Sequence, residues 1–220
     1  MPQLKTIKAT ALAVLIVVGL GVQNNGAKAS DKEVLTVAGG CFWCVESDFE
    51  RVAGVKDVVS GFTGGTVADP TYKQVVRGGT GHYEAVQITF DPARVTRNQI
   101  LSMFFRSVDP TDGGGQFCDR GDAYRTAIFP TNEDQRIAAE RAKADAEAEL
   151  GQKIVTPIMD GGAFYEAEAY HQDYYKSDQI IITRFGPRSK ASAYKSYRKA
   201  CGRDQRVDEL WGDAAPFTGS

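Results

Sequence analysis

Four cysteines, two histidines, three methionines and two tryptophans are all that the 220 residues carry of those types. Four cysteines are too few to staple a cysteine-dense mini-protein, so an apolar core must hold the fold. Glycine (23) and proline (8) fall far short of a collagen composition. A formal charge of −2 supplies no basic field for nucleic acid. There is no G-x-G-x-x-G after a strand and no metal-ligand cluster, so no flavin, nicotinamide or metal site is expected. What remains is ordinary globular material, 42% hydrophobic and 25% charged. That composition excludes a coiled coil or a largely disordered chain, and the length suits one sizeable domain or two very small ones.

The N-terminus reads as a leader. Lys5 and Lys8 precede an uncharged stretch, 9–22, and Ala27-Lys28-Ala29 follows as a small-x-small cleavage site. This is the three-part pattern of a secretory signal peptide over 1–29, and the stretch is shorter than the ~20 residues of a membrane span. The competing reading is an uncleaved anchor. Cleavage after Ala29 removes Lys5, Lys8 and Lys28, leaving 23 basic against 28 acidic residues and a charge of −5. Export, here into the periplasm, puts the thiols in an oxidising compartment, where four cysteines suit two structural disulfides.

Residues 30–220 alternate strands and helices without linker, repeat or low-complexity segment. Strands are expected at 34–38, 55–62, 83–90, 124–129 and 154–159. Helices are expected at 41–51, at 100–108 behind a Thr96/Gln99 capping box, at 131–150 before Gly151, and at 166–175. The alternation of 83–90 sets Glu84, Val86, Ile88 and Phe90 on one face and Tyr83, Ala85, Gln87 and Thr89 on the other. The expected fold is α+β: one two-layer sandwich domain, a mixed sheet with packed helices.

Chemistry concentrates at Gly39-Gly40-Cys41-Phe42-Trp43-Cys44-Val45-Glu46. A strand turning through two glycines into a helix leaves Cys41 at the helix N-terminus, where free N–H groups and the dipole lower a thiol pKa. Cys44 lies one turn further on. Zinc would need a second ligand pair, but Cys118 and Cys201 stand alone and His82 and His171 are scattered. A thioredoxin-like dithiol exchanger is a stronger competitor, with Thr156-Pro157 as a candidate cis-proline loop. A thiol enzyme cycling through sulfenic acid is the third reading.

Gly40-Cys41-Phe42-Trp43 followed by Glu46 resembles the signature of the A-class peptide methionine sulfoxide reductases. Gly61-Phe62-Thr63-Gly64-Gly65, Pro70-Thr71-Tyr72, Gly81-His82-Tyr83-Glu84-Ala85-Val86, Asp119-Arg120-Gly121 with Tyr124-Arg125, and His171-Gln172 follow in the family's order. The resemblance implies a ferredoxin-like core and a division of labour. Cys41 attacks the sulfoxide sulfur, Glu84 supplies the proton, Tyr72 and Tyr124 hold the oxygen, and Phe42 and Trp43 wall the methyl pocket. Asp119 matches the family's second acidic position. Chemistry requires Glu84 protonated near neutral pH, hence buried with a raised pKa. Each residue also has a bland reading: a solvated Glu84, half-buried tyrosines, core aromatics, structural histidines.

The implied sulfenic acid at Cys41 needs a resolving thiol. Cys201 ranks first, Cys44 second and Cys118 third, although 191–211, charged and carrying Tyr194 and Tyr197, reads as helical and not as a loose tail. The implied activity is reduction of the S epimer of methionine sulfoxide in exported proteins. It needs no bound cofactor, draws electrons from a thioredoxin-like dithiol protein, and acts as a monomer. The alternative is a thiol-disulfide oxidoreductase using Cys41 and Cys44. A further alternative is a non-catalytic domain bridged Cys41–Cys44 and Cys118–Cys201.

Overall fold

The structure, a computed structural model, describes Met1, residues 32–183 and residues 186–219. Apart from Met1, the expected leader at 1–29 lies outside the described residues. Among the described residues no helix is long and apolar enough to cross a membrane. The first half runs β1 (Glu33–Gly39), α1 (Phe42–Phe49), β2 (Val55–Thr63), α2 (Tyr72–Arg77), β3 (Tyr83–Phe90) and α3 (Arg97–Phe105). Then come β4 (Gly115–Gln116), β5 (Asp119–Arg120), β6 (Thr126–Phe129), α4 (Glu133–Leu150), β7 (Tyr165–Glu166), β8 (Ile180–Thr183), β9 (Gly186–Ser189), α5 (Lys190–Ala200) and α6 (Arg203–Trp211).

The fold is α+β, as expected. Five strands form one sheet in the order β6-β1-β3-β2-β7, and every neighbouring pair is antiparallel. The parallel element of the expected mixed sheet is reduced on β6 to an isolated bridge between Ile128 and Ile158. Strand parity decides what each face meets. Leu35 and Val37, Val58 and Phe62, and Val86, Ile88 and Phe90 pack against Phe42, Val45 and Phe49 of α1 and Ile100, Leu101, Phe104 and Phe105 of α3. Each such side chain contributes about 1.5–3 kcal/mol on burial. Ala38, Tyr83, Ala85, Ala127 and Phe129, of the other parity, form a smaller cluster under Met159 and Phe164.

The helices begin where capping chemistry places them. The Thr96 side chain caps α3 and Gln99 returns the bond to the Thr96 N–H. Asn132 caps α4, which Gly151 ends in the left-handed conformation at φ +62°. Two expected elements do not form. Residues 154–159 give no strand, because Pro157 has no N–H for a ladder; their backbone bonds β6 through the Pro157 carbonyl and the Met159 N–H, and the Thr156 hydroxyl meets that of Thr126. Residues 166–175 give no α-helix. Glu166 pairs with Gly61, and Asp173 sits left-handed at φ +56°, leaving a 3-10 turn at Tyr174–Lys176.

Residues 191–211 are two helices, broken at Gly202 (φ +71°) and fastened inward by charge. Arg198 donates to Asp48 Oδ1 at 2.7 Å, and Arg203 donates to the carbonyls of Gly39 (3.2 Å) and Ser107 (2.9 Å). All three side chains are buried. Asp48→Ala is expected to cost about 3–5 kcal/mol, because it leaves buried Arg203 with backbone carbonyls and no carboxylate, and Arg198 with Asp204 alone. Urea unfolding measures it; a loss under about 1 kcal/mol would mean that α5 and α6 do not depend on this charge.

Candidate active site

The Cys41 loop is a tight strand-to-helix turn. Gly40 has φ +82°, and a Cβ there would stand 2.6 Å from the Gln116 Cβ, so glycine is required on both counts. Cys41 is the N-cap of α1 (φ −51°, ψ 117°), and the Cys44 N–H donates to its carbonyl at 3.0 Å. Glu84 stands on the Val86-Ile88-Phe90 face of β3, which carries its carboxylate to the start of α1. There Oε2 accepts the Phe42 N–H at 3.0 Å, while Oε1 is buried without a hydrogen-bond partner among the described residues.

Three further segments close over this turn. A capping box at Thr71 and Gln74 starts α2 and leaves Tyr72 as its first residue. The glycine-rich loop after α3 is no mere connector. It wraps the buried Gln116 side chain, which bonds both the N–H and the carbonyl of Asp109, and so sets Asp119 and Tyr124 beside Cys41. The third segment is α5, whose Tyr197 hydroxyl donates to Asp119 Oδ2. Together Cys41, Phe42, Trp43, Tyr72, Glu84, Asp119, Tyr124 and Tyr197 line a cavity of about 70 Å³. That is room for about two water-sized groups. The Tyr72 and Tyr124 hydroxyls hydrogen-bond each other within it.

Burial sets the electrostatics of the cavity. Burial pushes the Glu84 carboxyl up to about 8, against the pull of the Phe42 N–H, and Asp119 adds to the rise. Burial likewise raises Asp119, and raises Tyr72 and Tyr124 so that both remain hydroxyl donors. The expectation of a lowered Cys41 pKa is corrected. Burial raises this thiol, and Cys44, Glu84 and Asp119 add to the rise. The nearest N–H of the helix terminus goes to Glu84 and not to sulfur. Cys44 shifts the other way, lowered by its hydrogen bond with Cys41 and by Arg203 and Arg198.

The aromatic wall is braced from outside. Trp43 stacks on Tyr174 with centroids 3.8 Å apart, and its indole N–H donates to His171 Nδ1 at 3.2 Å. Burial pushes His171 down to about 4, so the ring is neutral at physiological pH. His82 does not orient Glu84: it accepts the Gly65 N–H and bonds the Val67 carbonyl, fixing the turn after β2. Glu46 ties α1 to Ser60 and to the Asp173 N–H, and burial raises it to about 7. The Thr156-Pro157 bond is trans, so a cis-proline loop is absent from this pair.

The cysteines divide into two sets. Cys118 and Cys201 are joined in a disulfide, Cys118 exposed and Cys201 half-buried, with Cys201 Sγ 3.9 Å from Asp119 Oδ2. Cys41 and Cys44 are free and buried. Two groups of potential metal ligands occur among the described residues. One spends its sulfurs in the disulfide. The other, Glu46, Glu50 and Asp173, is already bonded to Ser60, Tyr175 and Lys176.

A family model described as peptide methionine sulfoxide reductase matches residues 33–212. The chain belongs to this family. Among the family's curated members it is similar to peptide methionine sulfoxide reductase MsrA 2 of Rhizobium meliloti, 48% identical over 189 residues, covering 86% of this chain and 88% of that one. MsrA 2 of Caulobacter vibrioides is 42% identical over 213 residues, covering 96% and 100%. Among solved structures, the reduced form of Mxr1 from Saccharomyces cerevisiae superposes with a TM-score of 0.63 at 29% identity, covering 66% and 85%. Methionine sulfoxide reductase A of Corynebacterium diphtheriae gives 0.60 at 31%, covering 67% and 75%.

Cys41, Phe42, Trp43, Tyr72, Glu84, Asp119 and Tyr124, which the family resemblance set at the sulfoxide, therefore line one cavity, while Cys44, Cys118 and Cys201 do not. Sequence reasoning missed Tyr197, the eighth wall. Its spacing with Tyr194 on the helix that carries Cys201 was the available signal, but helical spacing alone does not say which face meets Asp119.

Proposed function

We propose that this chain is a thiol-dependent reductase of methionine sulfoxide in peptides and proteins, acting on the S epimer. The observation that carries the reading is one small cavity holding a cysteine thiol, a buried carboxyl that is an acid at neutral pH, two hydroxyl donors and an aromatic wall. A sulfoxide is a poor electrophile until its oxygen is protonated or strongly hydrogen-bonded. Phe42, Trp43 and Tyr197 take the S-methyl group, while Glu84, Tyr72 and Tyr124 take the oxygen. As Glu84 donates its proton, the Cys41 thiol loses its own and attacks sulfur. The oxygen then passes to the Cys41 sulfur as the sulfur–oxygen bond and the new sulfur–sulfur bond break, which leaves Cys41 as sulfenic acid and releases methionine. Methionine sulfur gains the two electrons that Cys41 loses, and the protons balance.

The leader pattern supports export to the periplasm, and so repair of exported proteins by a monomer fed by a thioredoxin-like dithiol protein. The test uses residues 30–220, reduced, with excess dithiothreitol and a peptide carrying both sulfoxide epimers, separated by chromatography. Loss of the S epimer alone is expected. If neither epimer is consumed while insulin disulfides are reduced, the protein is a dithiol exchanger working through Cys41 and Cys44.

A further inference from the structure

We propose that a second cavity, which shares Tyr197 with the catalytic one, is a subsite for the substrate chain and takes an apolar side chain two residues from the methionine sulfoxide. The assignment rests on the reductase reading and deepens it. The catalytic cavity, at about 70 Å³, holds the methyl group and the sulfinyl oxygen and little else. The methylenes and backbone of the substrate therefore lie beyond its mouth. The second cavity measures about 580 Å³. Tyr197 stands in the walls of both. Cys201 Sγ, in the wall of the larger, is 3.9 Å from Asp119 Oδ2, in the wall of the smaller.

The larger cavity is an apolar groove. Ala193, Ser196, Tyr197 and Ala200 recur at helical spacing on one face of α5, and the two alanines leave space that larger side chains would fill. Thr183 of β8 and the Cys118–Cys201 disulfide line it too. Its hydroxyls are engaged within the protein: Thr183 donates to the Gly186 carbonyl at 2.8 Å and Ser196 to the Ser192 carbonyl at 3.1 Å. Methyl groups, a ring and two sulfurs are what it offers a ligand. The charged residue in the wall is Arg188, which donates to Ser196 Oγ at 3.2 Å. Size and lining are those of a site for a small apolar group.

The geometry of an extended peptide sets the register. Successive side chains point to opposite faces, and residues two apart emerge on the same face ~6.6 Å along the chain. With the sulfoxide in the catalytic cavity, its direct neighbours point away from the protein. The residue two along, past Tyr197, faces the groove. A leucine buried there strengthens binding about 10-fold or more. That contact is the same in the bound substrate and in the transition state, so the gain falls on KM and not on kcat.

The test sets peptides against one another in a single tube. Each is an end-blocked chain of five residues, glycine throughout except for a central methionine S-sulfoxide and one leucine or aspartate at a chosen position; an all-glycine peptide is the reference. The unaltered chain, with Cys118–Cys201 closed and no dithiothreitol, receives the peptides in excess. Products formed within one turnover are read by mass spectrometry, and their ratios are ratios of kcat/KM. Leucine two residues from the sulfoxide, on one side of it, is expected to yield about 10-fold more product than glycine. Leucine beside the sulfoxide should gain less than about threefold. Ala193→Phe fills the groove from a partly exposed position on α5, and Ala200→Phe does so from an exposed one. Both should bring the leucine preference below about threefold. A ratio does not depend on how much of a variant is folded. Equal yields across the series, a larger gain from aspartate or from a direct neighbour, or a preference that survives both substitutions overturns the subsite. If no peptide yields methionine, the reductase reading fails, and calorimetry of the same peptides with the unaltered chain decides the subsite separately. A leucine-dependent affinity lost in Ala193→Phe keeps it; equal affinities overturn it.

Discussion

Cys41→Ser is expected to abolish methionine release, a loss of about 10⁴-fold or more, the scale of removing a nucleophile. Serine fills the same N-cap position and even improves the cap, so the fold should be retained. Its hydroxyl ionises far less readily than a thiol and cannot accept oxygen as a sulfenic acid. Cys44 does not substitute, since it is nearly fully buried and not part of the cavity lining. Release of methionine from the S epimer, followed by chromatography under excess dithiothreitol, measures the effect. Residual activity above one-hundredth would place the nucleophile elsewhere.

Glu84→Gln is expected to lower sulfoxide reduction by about 10²–10⁴-fold, the usual contribution of a positioned proton donor. Glutamine still accepts the Phe42 N–H and still offers a hydrogen bond, so the variant isolates proton transfer from binding. It should also change the pH profile. Burial holds Glu84 protonated up to about 8, so the unaltered rate falls as pH rises through that value. That limb should vanish in the variant. Stability follows the same titration. A carboxyl raised from 4.5 to about 8 binds a proton in the folded chain that the unfolded chain has lost. Its stabilising effect is whole below about pH 4.5 and is lost as pH rises through about 8; Glu84→Gln should flatten that slope. A variant with the unaltered pH profile would show that another group supplies the proton.

The division between what could be read and what could not runs along the range of the interactions. β1, β2, β3, α3 and α4 are written in parity, capping boxes and a terminal glycine, all of which act over a few residues. The failures at 154–159 and 166–175 come from long-range pairing. An apolar run beside Pro157 could not build a ladder, and 165–166 was claimed by the edge of β2. The Cys41 pKa failed for a related reason. A helix terminus favours thiolate only while its N–H groups are unclaimed, and a residue 42 positions away claims the one at Phe42.

The sequence by itself determined the nucleophile's place on a glycine turn, the strand parity that points Glu84 toward the helices, and the motif order that identifies the family. Those are local or near-local features, fixed by backbone sterics and by side-chain periodicity. Tertiary structure alone decided that Asp119 and Tyr197 meet at Cys41, that Glu84 takes the helix N–H, and that Cys118 pairs with Cys201 while Cys44 stays free. Each depends on segments far apart in the chain being brought to one point, and burial there, more than the chemistry of any one residue, sets which groups carry protons.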